Sequence, residues 1–390
     1  MAERVATLAD AAQAFRTFAD AEGARVPTYA AICRIIADDP ELHGLLLHAP
    51  TGQRLPVLLL AAIHEVVLTQ PDTALAPWYP SVSGRAPSSE DPGPALRSTI
   101  AAHRDRILGL LRTRQVQTNE VNRCCAWWIA LTQLTAEDPR PVHLVEIGAS
   151  AGLNLLLDRY RYTLGHNGAA GVASSPVHLG SELRGHETGG HQTGGHQDTP
   201  RVLGAAIVTR VGLDQRPLDI TDPADARWLE ACVWPEQRVR FDRLTAALGV
   251  AALDPPRVVP GDLVDDLSPL LDEAPDGSHV VVLSSWVLAY VSRERRSVFL
   301  DLLSGAAVRL ASRNVRLTLL TLEAASILDL VAPPPLPADA SADEQFASIL
   351  AITGFSTTSP PTTPPPTTPP PTGRVIARCQ AHLVWTELLG

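Results

Sequence analysis

The stretch that decides the fold is VHLVEIGASAGLNLLL at residues 142–157. Its first half is apolar and ends near Glu146, which predicts a buried strand with an acid at its carboxyl end. A loop of small residues follows, GASAG at 148–152, and then an apolar run that begins a helix. Small residues let the backbone approach a ligand closely, and the first N–H groups of a helix can bind it. The stretch therefore predicts a strand–loop–helix unit whose loop faces a ligand.

Two interpretations of this loop compete. In the first, Glu146, Gly148, Ser150 and Gly152 follow the acid-x-Gly-x-Gly-x-Gly pattern of an S-adenosylmethionine loop in class I methyltransferases, with serine in place of the middle glycine. In the second, the loop is the Gly-x-Ser-x-Gly elbow of a serine hydrolase with Ser150 as nucleophile. The late histidine that a hydrolase needs would be His382, which falls within a predicted strand, and no oxyanion loop precedes the elbow. The methyltransferase interpretation is favoured.

Composition excludes several classes of protein. The chain has 390 residues, of which 45% are hydrophobic and 19% charged, as expected of a globular protein. A net charge of −10 argues against nucleic acid as the main partner. The longest apolar run, 55–68, is too short to span a bilayer, and no signal peptide is recognised, so we expect no membrane partner and a cytoplasmic location. The five cysteines lack metal-type spacing, so no metal is expected.

The pattern of hydrophobic residues changes near residue 136. Residues 1–135 show helical periodicity throughout and predict an all-helical cap domain. Residues 136–390 alternate short strands with helices, which predicts an α/β, Rossmann-like class I methyltransferase sheet of strand order 3-2-1-4-5-7-6. Strands are predicted near 142–147, 206–213, 256–260, 279–284, 314–321 and 374–389. Helices are predicted near 152–163, 224–249, 263–272, 293–311 and 342–352. Low-complexity residues near 165–200 and 356–373 are expected to form flexible inserts.

Polar residues at the ends of the predicted strands supply a cofactor site. Ligands of open α/β sheets bind at the carboxyl ends of the strands. Asp214, at the end of the second strand, is the candidate for the ribose hydroxyls, with Glu182 as a competing candidate. Asp262, after the third strand, is the candidate for the adenine amine, although a helix-capping role would also explain it. Asn154 and Ser284 complete the predicted S-adenosylmethionine site.

Further polar residues are candidates for the substrate and for proton transfer. Three of them precede the apolar helix that starts at 124. Asn119 and Arg123 are expected to bind substrate, and Glu120 is expected to act as a base. Capping of the helix and ion pairing on its surface would explain these three residues equally well. The other candidates divide into substrate-binding residues, namely Trp234, Glu236 and Trp286, and a second possible base, Tyr290. A helix restart at Pro235 and core packing of Trp286 are the structural alternatives.

The chain resembles a bacterial family of unknown function found mainly in GC-rich bacteria. The resemblance rests on four motifs, QTNE at 117–120, VEIGASAGLNL at 145–155, WPEQ at 234–237 and PRVVPGD at 256–262. It spans nearly the whole chain apart from the two inserts. The family implies a methyltransferase-like C-terminal half and no established catalytic residues.

The sequence thus predicts S-adenosylmethionine-dependent transfer of a methyl group to a small molecule, in a crevice between the helical cap and the sheet. A related alkyl transfer from the same cofactor would use the same site. The alternatives are a non-catalytic or nucleoside-binding protein with a methyltransferase-like fold and, less favoured, a serine hydrolase acting through Ser150. The oligomeric state stays open.

Overall fold

The computed structural model describes residues 5–165, 169–185, 202–328, 331–332, 335–336, 340–357 and 372–389. It shows a mixed α/β protein with a large central sheet and helices. The chain divides into two compact units. The helical unit comprises residues 1–119 and 219–245, and the sheet unit comprises residues 120–218 and 246–390. The predicted boundary at 135/136 instead assigned the whole of 1–135 to the cap.

The helices of the described residues are numbered in chain order. They are α1 (Leu8–Glu22), α2 (Pro27–Ala37), α3 (Pro40–His43), α4 (Pro56–Thr69), α5 (Pro80–Ser83), α6 (Gly93–Ala102), α7 (Arg104–Thr113), α8 (Cys124–Glu137), α9 (Pro223–Ala231), α10 (Arg238–Leu253), α11 (Leu267–Asp272), α12 (Arg293–Ala311) and α13 (Ala342–Gln345).

The strands are numbered in the same way. They are β1 (Val142–Ile147), β2 (Arg161–Leu164), β3 (Ala169–Gly171), β4 (His178–Gly185), β5 (Ile207–Asp214), β6 (Val258–Pro260), β7 (His279–Ser285), β8 (Arg316–Ala324), β9 (Ser348–Gly354), β10 (Thr372–Cys379) and β11 (Trp385–Leu388).

In the helical unit, α4 is the central element because nearly all of its residues are buried. Its buried acid, Glu65, is neutralised by Arg106 of α7, whose Nε donates to Glu65 Oε2 at 2.8 Å. Pairing of this kind offsets the cost of burying a carboxylate. The N-terminus of α1 is closed by a capping box, in which Thr7 and Asp10 satisfy each other's backbone N–H groups.

The eleven strands of the described residues form one sheet in the order β3-β2-β4-β11-β10-β9-β8-β7-β1-β5-β6. The segment β6-β5-β1-β7-β8 is parallel and has β1 at its centre. Helices α11 and α12 cover one face of it, where Phe299 and Leu303 of α12 belong to the same hydrophobic cluster as Val145 and Ile147 of β1. Helix α8 packs against β4, β8 and β9.

The predicted strand order 3-2-1-4-5-7-6 is not the observed one. The five parallel strands follow 3-2-1-4-5, but β9, the next described strand along the chain, pairs antiparallel beside β8, and β10 pairs antiparallel beside β9. An antiparallel neighbour needs no crossover helix, so the helix predicted over 342–352 is mostly absent and Ser348–Gly354 is a buried strand. Strands β11, β4, β2 and β3 extend the sheet beyond β10.

Several smaller predictions also differ from the structure. The helix predicted over 152–163 is a short 3₁₀ helix, Leu153–Arg159, followed by β2. The helix predicted over 224–249 is interrupted between α9 and α10, where Pro235 lies. Strands β3 and β4 lie within the first predicted flexible insert, 165–200. The rest of the two predicted inserts falls largely on residues 166–168, 186–200 and 358–371, which lie outside the described residues. Within the parts of the chain that are described, no helix is both long and apolar enough to cross a bilayer.

Candidate functional site

The loop that follows β1 lies against the carboxyl end of β5. The N–H of Gly148 donates to Leu213 O at 2.8 Å, and the N–H of Ser150 donates to Asp214 Oδ2 at 2.8 Å. Three of its residues have positive φ, namely Gly148 at 65°, Ser150 at 54° and Gly152 at 72°. The loop is therefore a tightly wound turn held by the end of the neighbouring parallel strand.

Packing within the protein explains why this loop needs its glycines. A Cβ atom at Gly148 would lie 2.3 Å from Val287 Cγ2, and one at Gly152 would lie 2.8 Å from Val258 Cγ2. Both residues also have a positive φ, which disfavours any other residue type. Small residues in the loop are thus required by neighbouring strands and loops, and a ligand is not needed to explain them.

Glu146, the acid at the end of β1, is almost completely buried. Its Oε1 accepts a hydrogen bond of 2.8 Å from Asn154 Nδ2, whereas its Oε2 has no hydrogen-bond partner among the residues described. Burial raises the pKa of Glu146 to about 8, against the weaker lowering effects of Asn154 and Arg123. Glu146 therefore holds a proton at neutral pH in the protein alone, and one of its oxygens is free to bind a ligand atom.

Ser150 combines an unusual backbone with a free hydroxyl. Its φ of 54° is uncommon for a residue with a side chain, and such conformations often mark functional positions. Its Oγ is buried and forms no hydrogen bond to any described residue. Ser150 and Glu146 thus contribute two unsatisfied polar atoms to the same loop.

The two predicted strand-end acids lie at the same edge of the sheet. Asp214 accepts the N–H groups of Ser150 and Arg216, each at 2.8 Å. Gln215 Nε2 donates to Asp262 Oδ2 at 3.2 Å. Asp262 also accepts the N–H of Val264, and burial would raise its pKa, but that hydrogen bond and the charge of Arg295 lower it.

The alternative ribose acid is remote from this loop. Glu182 is an exposed residue of β4. The sheet order places five strands between β4 and β1. Asp214 is therefore the candidate that contacts the loop after β1.

A second group of buried polar residues lies at the ends of β7 and β8. Arg123 Nη1 donates to Ser285 Oγ at 3.2 Å, and Ser284 Oγ donates to Glu323 Oε1 at 2.9 Å. Glu323 Oε1 also accepts the N–H groups of Val287 and Leu288, at 3.0 and 3.1 Å. Burial raises the pKa of Glu323, and the charge of Arg123 lowers the pKa of both Glu323 and Glu146. Arg123 is therefore electrostatically coupled to both acids.

The turn after β7 contains two predicted site residues with different surroundings. Trp286 has a φ of 57°, and its Nε1 donates to Ser348 Oγ at 3.0 Å. A positive φ at so bulky a residue is a strained conformation that its surroundings must maintain. Tyr290, a predicted base, is 88% exposed at the end of the 3₁₀ helix Leu288–Tyr290.

Glu120, the other predicted base, pairs with a histidine. Its Oε1 accepts the N–H of Asn122 at 3.1 Å, and its Oε2 lies 3.2 Å from His382 Nδ1. The Glu120 side chain is 1% exposed and that of His382 is 31% exposed. The two side chains are within ion-pair distance, so a buried carboxyl group lies directly beside a partly exposed imidazole.

The remaining predicted substrate residues belong to the helical unit. Asn119 is buried, and neither atom of its side-chain amide has a hydrogen-bond partner in the described parts of the chain. Trp234 packs edge-to-face on Phe18 at 5.6 Å between ring centroids. Glu236 Oε1 accepts the N–H of Thr28 at 2.6 Å. Each therefore has a place within the packing of that unit.

Two functional candidates were not selected from the sequence. Glu323 was missed because the predicted strand ended at 321, although an acid at the end of an apolar strand run is the signal that selected Glu146. His382 was considered only as a hydrolase base, because its pairing with Glu120 joins residues 262 positions apart. Among the described residues, no group of three or more His, Cys, Asp and Glu side chains is arranged to hold a metal ion.

Comparisons with known proteins identify the family of the chain. None of the curated proteins matches it. A family model, DUF2332, described as an uncharacterized protein conserved in bacteria, matches residues 12–353. Because the match covers most of the chain, the protein belongs to this family of bacterial proteins.

Proposed function

We propose that the sheet unit binds S-adenosylmethionine at the loop after β1 and that the protein transfers a methyl group to a small molecule. The observation that carries the proposal is the pair of unsatisfied buried atoms, Glu146 Oε2 and Ser150 Oγ, at the carboxyl edge of the parallel strands. Buried polar atoms without partners are uncommon, and a bound ligand is one explanation. Ligands of open parallel sheets bind at this edge.

The residues present suit an adenosyl cofactor. Asp214 lies at the end of β5, beside the loop, and each of its oxygens accepts only one backbone hydrogen bond among the described contacts. Each carboxylate oxygen has a further lone pair, so Asp214 could also accept ribose hydroxyls. Glu146 Oε2 would face the positively charged part of the cofactor, which would favour the ionised form of this acid.

The cofactor would supply an electrophilic methyl group, and the protein would supply binding, orientation and proton transfer. The loop and Asp214 hold their positions through backbone hydrogen bonds, so they need little rearrangement on binding. Glu120 Oε2 lies 3.2 Å from His382 Nδ1, and this pair could take the proton of an acceptor hydroxyl or amine. Arg123, fixed by Ser285, could bind an acidic group of the acceptor.

Calorimetric titration of the full chain with S-adenosylhomocysteine tests the cofactor site. We expect binding that Asp214→Ala weakens by about tenfold or more, since a charged hydrogen bond contributes about 1.5–3 kcal/mol. Asp214→Asn keeps one acceptor oxygen for the loop and should weaken binding less. Glu182→Ala, the matched control in β4, should bind like the wild type. Absence of binding in the wild type, or equal loss in both alanine variants, would contradict the proposal.

Methyl transfer itself can be followed without knowing the acceptor. Methyl-labelled S-adenosylmethionine is incubated with the protein and the small-molecule fraction of a bacterial extract. Label should pass into that fraction, and Glu120→Gln should lower the rate without weakening S-adenosylhomocysteine binding. Binding without any transfer would instead favour the non-catalytic alternative.

The backbone of Ser150 is the specific observation that favours a hydrolase as second candidate. A positive φ at the serine is a feature of a strained nucleophile turn. A triad also requires a histidine at the serine, and no described histidine hydrogen-bonds Ser150 Oγ. Labelling with a fluorophosphonate probe that Ser150→Ala abolishes would support this candidate, and absence of labelling would exclude it.

A further inference from the structure

Three buried oxygen atoms of the helical unit have no hydrogen-bond partner among the described residues. They are the hydroxyls of Tyr29 and Tyr79 and the Oε2 atom of Glu236. Each unsatisfied buried polar atom costs about 1–3 kcal/mol. In native proteins such atoms are usually satisfied by ordered water, an ion or a bound molecule.

These atoms belong to one cluster, which we call the Tyr29–Tyr79–Glu236 cluster. The N–H of Thr28, in the first turn of α2, donates to Glu236 Oε1 at 2.6 Å, and Tyr29 is the next residue. The rings of Tyr29 and Tyr79 pack edge-to-face with their centroids 6.3 Å apart. Burial raises the pKa of both phenols, and Glu236 raises both further through its charge.

Three titratable neighbours of the cluster are uncharged at neutral pH, and arginine side chains lie within electrostatic range of two of them. His64 packs on Tyr79 with ring centroids 4.9 Å apart, and burial lowers the pKa of His64 to about 4. Burial raises the pKa of the Cys33 thiol to about 12 and that of the Cys232 thiol to about 11. Arg34 acts on Cys33, and Arg240 and Arg114 act on Cys232, so Glu236 is the acid that brings negative charge to the two phenols.

Glu236 forms no ion pair with an arginine or histidine within the described parts of the chain. The two nearby arginines of α10 have other partners. Arg238 Nε donates to Asp242 Oδ1 at 2.7 Å, and Arg240 Nη1 donates to Gln237 Oε1 at 2.9 Å. A buried carboxylate oxygen that forms no ion pair among the described residues is unfavourable, so the cluster is suited to a cation.

We propose that the Tyr29–Tyr79–Glu236 cluster binds the ammonium group of a small primary amine. An R–NH₃⁺ group has three N–H donors, and the cluster offers three oxygen acceptors, one of them charged. Aromatic side chains beside the acceptors add a favourable interaction with an organic cation. One carboxylate among neutral groups is a poor site for a divalent metal, which prefers several anionic oxygen ligands.

The proposal concerns residues of the helical unit alone. It does not rest on the proposed methyl transfer, because its tests use neither S-adenosylmethionine nor S-adenosylhomocysteine. Failure of either proposal therefore leaves the other to be judged by its own result.

Calorimetry of the full chain with three probes tests the site. Butylammonium chloride supplies three N–H donors and a charge, 1-butanol has the chain without the charge, and tetramethylammonium has the charge without N–H donors. We expect butylammonium to bind in the millimolar range or tighter. The other two probes should bind about tenfold or more weakly, since a lost charged hydrogen bond is worth about 1.5–3 kcal/mol.

Variants locate the site within the protein. Glu236→Gln should weaken butylammonium binding about tenfold or more, and Tyr79→Phe and Tyr29→Phe about threefold to tenfold each. Asp72→Asn, which changes an exposed carboxylate of the same unit, should have no effect. Circular dichroism and thermal unfolding check that each variant folds. If Glu236→Gln does not fold, the two phenylalanine variants still decide.

Four results would overturn the proposal. The first is absence of butylammonium binding up to tens of millimolar, as expected if water alone satisfies the cluster. The second is equal binding of 1-butanol, and the third is equal binding of tetramethylammonium. The fourth is wild-type affinity in the folded variants of the cluster.

Discussion

Glu146 links the candidate site to the pH dependence of stability. Its pKa is raised by burial to about 8 in the folded protein, whereas an exposed glutamate has a pKa near 4.5. Between these values the folded state holds a proton that the unfolded state releases. The free energy of unfolding should therefore fall as the pH rises from about 4.5 to about 8 and level off above that range. This one group contributes a slope of up to about 1.4 kcal/mol per pH unit.

Urea unfolding of the wild type and Glu146→Gln at pH 6, 7 and 8 isolates this contribution. The variant lacks the ionisable group, so its stability relative to the wild type should rise by about 1 kcal/mol for each pH unit. Glu182→Gln removes an exposed carboxyl and should keep the wild-type slope. Parallel pH dependences in the wild type and Glu146→Gln would show that Glu146 does not titrate in this range.

At the level of single residues, the sequence identified acids more readily than their partners. Glu146, Asp214 and Asp262 were selected because each follows an apolar strand run, and all three lie at the same edge of the sheet. The sequence could not show that Gly148 is required by Val287, since these residues meet only through the β1–β7 pairing. The same limit applies to His382 and Glu120.

Among the elements of the sheet unit, the turn between β10 and β11 depends on one amide. Asn122 Nδ2 donates to the carbonyls of Gly180, His382 and Leu383 at 3.0–3.2 Å, and its Oδ1 accepts the N–H of Gly180 at 3.2 Å. Asn122→Ala leaves these backbone groups without their partner. We expect a loss of about 2–4 kcal/mol in the free energy of unfolding.

Hydrogen exchange and urea unfolding together measure this effect. Faster amide exchange should be concentrated in residues 178–185 and 380–385, because the lost hydrogen bonds lie there. Asn122→Asp keeps an acceptor for Gly180 but loses the donors, so its stability should fall between those of the wild type and the alanine variant. A uniform change of exchange across the sheet would mean that Asn122 does not act locally.

Elements with a strong local pattern were predicted well. The predicted bounds of β1 and α12 match the structure, since each is a long run with one clear periodicity. The prediction failed at 342–352, where a run of apolar residues suits either a buried helix or a buried strand. Pairing with β8 and β10 decides in favour of a strand, and that pairing is not visible in the local sequence. The predicted methyltransferase strand order was also wrong, because the pairing of distant strands is not visible in the local sequence.

At the scale of the whole molecule, the chain passes between the two units at 119/120, 218/219 and 245/246. The crossing at 245/246 lies inside helix α10, Arg238–Leu253. Unfolding of one unit alone would therefore break a continuous helix. Helix formation is cooperative, and breaking a helix in its middle exposes new unsatisfied termini. We therefore expect the two units to unfold together.

The free cysteines report on each unit separately. Cys33 is buried in the helical unit, and Cys124 and Cys379 are buried in the sheet unit. Burial raises the pKa of all three thiols, so they should react slowly with a thiol reagent until their unit unfolds. Labelling across a urea series, with mass spectrometry of the peptides, gives a midpoint for each cysteine. We expect the three cysteines to give the same urea midpoint. The variant Tyr79→Phe alters only the helical unit, and any change that it makes in the midpoint should be equal for all three cysteines. A lower midpoint for Cys33 alone would show that the helical unit unfolds independently.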